Sequence, residues 1–96
     1  MDWNLLRTFM FVVQERGVGR AALALQVSQP AVSQSLRRLE ENLGGSLLTR
    51  RGGEFRLTAL GEEIYAIACD AYSAVARIDA AVGERRDEVS GPLRLL

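Results

Sequence analysis

The chain has 96 residues, 48% of them apolar and 25% charged, an ordinary globular balance for one small domain with a modest core. No apolar run approaches the ~18 residues of a membrane span. Asp2, Asn4 and Arg7 interrupt the N-terminus where a signal peptide would need an apolar stretch, so the expected location is cytoplasmic. A single cysteine, Cys69, excludes an internal disulfide and agrees with a reducing compartment. The absence of histidine excludes Cys/His zinc sites and any histidine base.

The formal net charge is zero, but its distribution is uneven. Residues 1–58 hold eight arginines against five acids, a surplus of three; residues 59–96 hold four against seven, a deficit of three. A basic front half and an acidic back half point towards nucleic-acid contact at one end. All twelve basic residues are arginine, whose planar fork suits phosphates and guanine edges.

Residues 3–16 predict a helix. Leu6, Phe9, Met10 and Val13 form one apolar stripe, with Asp2 as N-cap and Gly17 as stop. A short second helix is expected over Arg20–Gln26, with Gly19 at its N-cap. Ser28 then caps a third helix with Pro30 in its first turn, where the missing N–H is not needed. That helix runs to about Leu43, with Val32, Leu36, Leu39 and Leu43 on its buried face, and Gly44-Gly45 ends it. Within residues 46–58, two apolar-bearing segments flank Gly52-Gly53 and read as a β-hairpin. Thr58 caps a long helix with Glu62 and Glu63 in its first turn, expected to reach about Glu88. Some thirty residues would span about 45 Å. Ser90-Gly91-Pro92 breaks it.

The third helix carries the main functional signal. Gln29, Pro30, Ser33, Gln34 and Arg37 share a face about a third of a turn from the apolar one. Glutamine pairs two ways with adenine, arginine with guanine, and serine with base edges or phosphate. A short helix, a tight turn and a polar-faced helix make a helix-turn-helix, and the basic hairpin that follows makes a wing.

The run Ala21-Ala22, Leu25, Val27-Ser28-Gln29-Pro30-Ala31-Val32-Ser33-Gln34, Leu36, Leu39-Glu40, Leu43-Gly44, Leu47, Arg50, Leu57-Thr58 and Gly61 resembles the N-terminal head of LysR-type transcriptional regulators. The resemblance covers about residues 3–88. It implies a mainly α fold: a winged helix-turn-helix of three helices plus a two-stranded wing over 1–58, then a linker and dimerisation helix over 59–88. Residues 89–96 would begin an absent effector-binding domain, Pro92–Leu96 resembling its first strand. The resemblance implies that the helix opening at Ser28 enters the major groove of double-stranded DNA, with Gln29, Ser33, Gln34 and Arg37 at base edges and Pro30 on a thymine methyl. Arg20, Ser28, Arg50 and Arg51 would meet phosphates or the minor groove. Arg38 lies off this face, and Arg56 is placed to pair with Glu54. Two departures stand out. Gly19 replaces a serine or threonine common at the second helix's N-cap, and Leu48 replaces the phenylalanine usual before the wing.

In the long helix, Leu60, Ile64, Ile67, Ala71, Ala74, Ile78 and Ala81 repeat at intervals of four and three, a heptad seam for a second copy of the chain. Tyr65, Ala68, Tyr72, Val75 and Val82 form a second apolar stripe. Cys69 lies off the seam and reads as a small buried hydrophobe. No catalytic constellation and no metal cluster is expected. The fragment itself needs no cofactor; a small-molecule effector belongs to the absent domain. A homodimer is expected, and a tetramer for the full-length regulator. The competing reading is a winged-helix protein-interaction module without specific DNA binding.

Overall fold

The computed structural model describes residues 1–49 and 55–85. Four helices and a two-stranded antiparallel sheet follow one another as α1 (Trp3–Glu15), α2 (Val18–Leu25), α3 (Gln29–Leu43), β1 (Leu48–Thr49), β2 (Arg56–Leu57) and α4 (Ala59–Glu84). β1 and β2 pair with Leu48 opposite Leu57 and Thr49 opposite Arg56. This is a winged helix-turn-helix with a long helix appended. Residues 50–54, where the hairpin turn at Gly52-Gly53 is expected, and residues 86–96, including Pro92–Leu96, lie outside the described residues.

Local signals set most of the boundaries. Asp2 Oδ1 accepts the Asn4 N–H at 2.8 Å and starts α1. Ser28 and Thr58 cap α3 and α4 in the same way. Gly44, at φ 76°, ends α3 in the left-handed region that glycine enters without strain.

The second helix differs from expectation. It begins at Val18, capped by Gly17, and Gly19 lies inside its first turn. The reason is the way α1 ends. Arg16, not Gly17, takes the left-handed position (φ 60°), and the N–H groups of Arg16 and Gly17 turn back to the carbonyls of Val13 and Val12. The chain is thereby reversed one residue early, and Gly17 serves the next helix. α2 closes identically: Gln26 is left-handed (φ 60°), and the N–H groups of Gln26 and Val27 return to Leu23 and Ala22.

The core joins α1, α2, α3, Leu47 and one face of α4. Leu6, Phe9 and Met10 of α1 are buried as expected, but Leu5 and Val12 are buried too and Val13 only half so. α1 is packed by α2, α3 and α4 at once, so one stripe is not enough to cover it. Across the α1–α4 contact, Trp3 lies 5.0 Å from Tyr72. Phe9 meets Tyr65 edge-on at 6.4 Å. Burial pushes the Tyr65 phenol above its ordinary range, the hydrogen bond with Cys69 adding to this and Gln14 opposing it.

A knot of hydrogen bonds fastens the wing and α4 to this core. The Leu47 side chain is fully buried. Its N–H donates to Glu40 Oε2 at 2.7 Å, and its carbonyl accepts the Thr58 N–H at 3.0 Å. Thr58 Oγ1 donates to the Ser46 carbonyl at 2.6 Å and accepts the Gly61 N–H at 2.9 Å. Gly61 is glycine for a steric reason: a Cβ there would collide with the Leu47 carbonyl oxygen and lie 3.2 Å from Leu57 Cδ2.

Two glycines of α4 therefore have opposite expectations. Gly83→Ala meets nothing within 4 Å and gains helix propensity, about 0.5–1 kcal/mol of stability. Gly61→Ala gains the same propensity but overpacks a rigid backbone contact, and the chain loses about 1–3 kcal/mol. Urea unfolding midpoints of the two variants will move in opposite directions.

Candidate nucleic-acid interface

The polar face of α3 is built by the burial of the other. Val32, Leu36 and Leu39 are almost wholly buried against α1 and α2, with Leu43 half-buried at the end of the row. That anchoring turns Gln29, Pro30, Gln34 and Arg37 to solvent, with Ser33 half-buried at the edge. The structure thus brings all five together on one face at the start and middle of one helix.

Ser28 stands at the head of this face. Its Oγ accepts the Ala31 N–H at 3.2 Å, which uses an acceptor lone pair and leaves the hydroxyl proton uncommitted by the cap. The first turn of α3 contains no acid, so the positive end of the helix dipole is not offset there. Backbone N–H groups and dipole together suit an anion such as a phosphate. The Gln29 amide leans back over α2: a Cβ built on Gly19 would lie 3.7 Å from Gln29 Oε1. Gly19 is therefore not an N-cap lacking its hydroxyl but a helical position beside Gln29, and a side chain there would touch that amide. Arg20 is exposed one residue further along α2.

Beyond Ser33, the same face runs into the base of the wing. Ser33, Arg37 and Glu40 of α3, with Ser46 and Leu48, line a cleft of about 270 Å³. Leu48 is half-buried there. Arg38 is exposed. Arg56 sits on β2 opposite Thr49. Arg50 and Arg51, expected at phosphates or the minor groove, and Glu54, expected to pair with Arg56, lie outside the described residues.

The long helix presents a different surface. Leu60 and Ile64 pack against the core of their own chain, as do Tyr65, Ala68, Cys69 and Tyr72. Of the seam, Ala71 and Ala74 are half-buried, Ala81 is exposed, and Ile67 and Ile78 are 57% and 62% exposed. Val75 and Val82 of the second stripe are also exposed. Every described residue from 75 to 85 is exposed to solvent. The first turn of the seam therefore closes the head, while Ile67, Ile78 and Ala81 stand exposed and Ala71 and Ala74 are half-covered.

The sequence pattern described as "Bacterial regulatory helix-turn-helix protein, lysR family" matches residues 3–62. The chain belongs to the LysR family. Among LysR-family relatives, the HTH-type transcriptional regulator HdfR of Escherichia coli O139:H28 is 48% identical over 64 residues, which is 67% of this chain and 23% of HdfR. The chain thus spans about a quarter of the length of the curated relatives it matches. Two LysR-family structures superpose on most of it. The BenM DBD in its complex with catB site 1 DNA gives a TM-score of 0.82 at 32% identity, covering 95% of this chain and 98% of that one. Full-length LysG from Corynebacterium glutamicum with bound effector Arg also gives 0.82, at 30% identity, covering 92% of this chain and 30% of LysG.

Sequence reasoning missed one residue of this LysR-type interface, Glu40. It figured only as part of the family pattern, yet its carboxylate closes the cleft and holds Leu47. The one available signal was an acid in the last turn of a helix, where the dipole disfavours it.

The geometry of the Ser28 cap makes a graded prediction. Ser28→Ala exposes the Ala31 N–H and costs about 0.5–2 kcal/mol, whereas Ser28→Gly costs only a few tenths, roughly, because glycine is itself a fair cap. Thermal denaturation of the three proteins will rank them serine, glycine, alanine.

Proposed function

We propose that this chain is the sequence-specific DNA-binding part of a LysR-type transcription regulator, working as a homodimer on an interrupted two-fold promoter site. The observation that carries the reading is the exposed face of Gln29, Pro30, Ser33, Gln34 and Arg37 on a rigidly anchored α3. The likeness to a BenM DBD solved on catB site 1 DNA supports it. Gln29, Ser33, Gln34 and Arg37 read base edges in the major groove, and Pro30 contacts a thymine methyl. Arg20 and Ser28, with Arg50 and Arg51 of the wing, hold phosphates or the minor groove and set the register.

Dimerisation follows from the uncovered stripe of α4. Ile67, Ala71, Ala74, Ile78 and Ala81 bury against the same helix of a second copy, with Leu60 and Ile64 shared between that seam and their own head. Burial of this stripe is favourable at about 25 cal/mol per Å² of apolar surface. Two recognition helices then lie about 34 Å apart, one turn of DNA, which is why the site is two-fold. In this reading the whole protein is a cytoplasmic regulator without enzymatic activity that forms tetramers and answers to a small-molecule effector. None of the described helices is long and apolar enough to cross a membrane.

The deciding experiment selects duplexes from a randomised pool with the chain, then measures fluorescence anisotropy on the selected and a scrambled duplex over a salt series. Enrichment of an interrupted two-fold sequence is expected. Affinity should fall steeply with salt, at a log–log slope of about 0.9 per phosphate neutralised. No enrichment, with weak binding equal on both duplexes, would replace this reading with a protein-interaction module. On the selected duplex, Gln34→Ala loses about 1–3 kcal/mol and relaxes specificity at one position, while Arg20→Ala weakens both duplexes alike and lowers the salt slope by about 1.

A separate prediction concerns assembly. Ile67 is exposed in the single chain, so Ile67→Glu leaves the fold intact but places charge in the seam. Sedimentation velocity will show monomers where the unaltered chain sediments as a dimer; an intact dimer would remove Ile67 from the interface.

A further inference from the structure

Glu40 sits at the electrostatically unfavourable end of α3. An acid in the last turn faces the negative end of the helix dipole, and no basic residue shares that turn. Its neighbour Glu41 is exposed to water, but Glu40 is half-buried. Its backbone carbonyl accepts the N–H groups of Gly44 at 2.8 Å and Gly45 at 3.2 Å. Its carboxylate then reaches past that turn: Oε2 accepts the Leu47 N–H at 2.7 Å and lies 3.3 Å from Ser46 Oγ. Glu40 therefore holds the reversal between α3 and β1 by both its backbone and its side chain, while Ser46 Oγ also donates to the carbonyl of Leu48 at 2.8 Å, the residue at which β1 begins.

On α3, Ser33, Arg37 and Glu40 follow one another at helical spacing, and together they line the cleft against Ser46 and Leu48. The row that carries two of the base-reading side chains ends in the side chain that holds the wing. We propose that Glu40 is a positioning residue for DNA binding, its carboxylate setting the wing at a fixed distance and angle from the DNA-reading face of α3. The inference rests on the DNA-binding reading above. The Leu47 side chain is fully buried and its carbonyl is held by the Thr58 N–H, two attachments to the core that do not involve the carboxylate. What the carboxylate adds is direction: with no acceptor, a part-buried N–H must turn to find water, and β1 turns with it.

The chemistry requires an acceptor at the right reach, not a charge. Glu40→Gln keeps an amide oxygen at the same reach. Glu40→Asp keeps the charge but falls one methylene short. Glu40→Ala removes the acceptor. The experiment takes these three variants and the unaltered chain on the duplex selected by the unaltered chain, with two footprints. Dimethyl sulfate at guanine N7 reports α3 in the major groove, and hydroxyl-radical cleavage reports the wing on the flanking backbone. Amide exchange at Leu47, measured without DNA, reports the anchor itself.

Alanine and aspartate are expected to bind roughly tenfold more weakly. They should lose flank protection while keeping N7 protection, and should speed exchange at Leu47. Glutamine should match the unaltered chain in all three. The proposal is overturned if aspartate behaves as the unaltered chain, if glutamine behaves as alanine, or if Leu47 exchange accelerates with both footprints unchanged. It is also overturned if both footprints fade together in step with a lowered melting temperature, the mark of general destabilisation. If the unaltered chain protects no duplex, the DNA-binding reading itself fails and the positioning role falls with it. Leu47 exchange still separates that outcome from the loss of the anchor.

Discussion

Leu47 is where the separate parts of this chain become one object. Its side chain is fully buried in the core, its N–H is held by the Glu40 carboxylate, its carbonyl is held by the Thr58 N–H, and the bare Cα of Gly61 rests against that same carbonyl. The end of α3, the entry to the wing and the start of α4 thus meet at one peptide unit. A buried peptide group must have both its donor and its acceptor satisfied, so the approach of all three is required together. Without this junction the helices of the head would keep their own contacts and α4 would keep its packing on α1, but the entry to the wing and the first turn of α4 would lose the hydrogen bonds that join them.

The direction of α4 matters because the helix does two jobs along its length. Its first half is apolar toward α1, where Tyr65, Ala68 and Tyr72 complete the core. Its second half extends beyond the head, with Val75, Ile78 and Val82 open to water. The stripe that would bind a second copy is thereby rigidly tied to the orientation of α3 through Gly61 and Thr58. In the proposed dimer, the distance between two recognition faces is then a property of the folded chain and not of a flexible tether.

The same economy is visible on α3. Its buried row fixes the helix, its exposed row faces outward, and Glu40 on the border joins that row to the wing. Residues that would touch DNA and residues that hold the frame alternate within a single fifteen-residue helix. A change at a framing position such as Glu40 can therefore alter recognition without any contact to a base.

Much of this was legible in the residue order because local chemistry decides it. Caps at Asp2, Ser28 and Thr58, glycine at 44, and the apolar spacing of α1, α3 and α4 act over a few residues, so they can be read without knowing the fold. The polar face of α3 was legible for the same reason: a helix with one apolar row leaves the other side to solvent. The start of α2 was not, because it depended on which of two adjacent residues, Arg16 or Gly17, would turn left-handed. The burial of Leu5 and Val12 followed from three helices packing around α1. Heptad spacing marked Leu60 and Ile64 as seam residues but carried no information on whose surface would cover them; their own head covers them in part. The sequence by itself determined the order of the helices and strands and the polar face of α3. Only the tertiary structure decided how α4 divides its apolar surface, because that depends on α1, far away in the chain, and that an acid at 40 is an anchor, because that depends on how the segment from Glu40 to Leu47 turns back on itself.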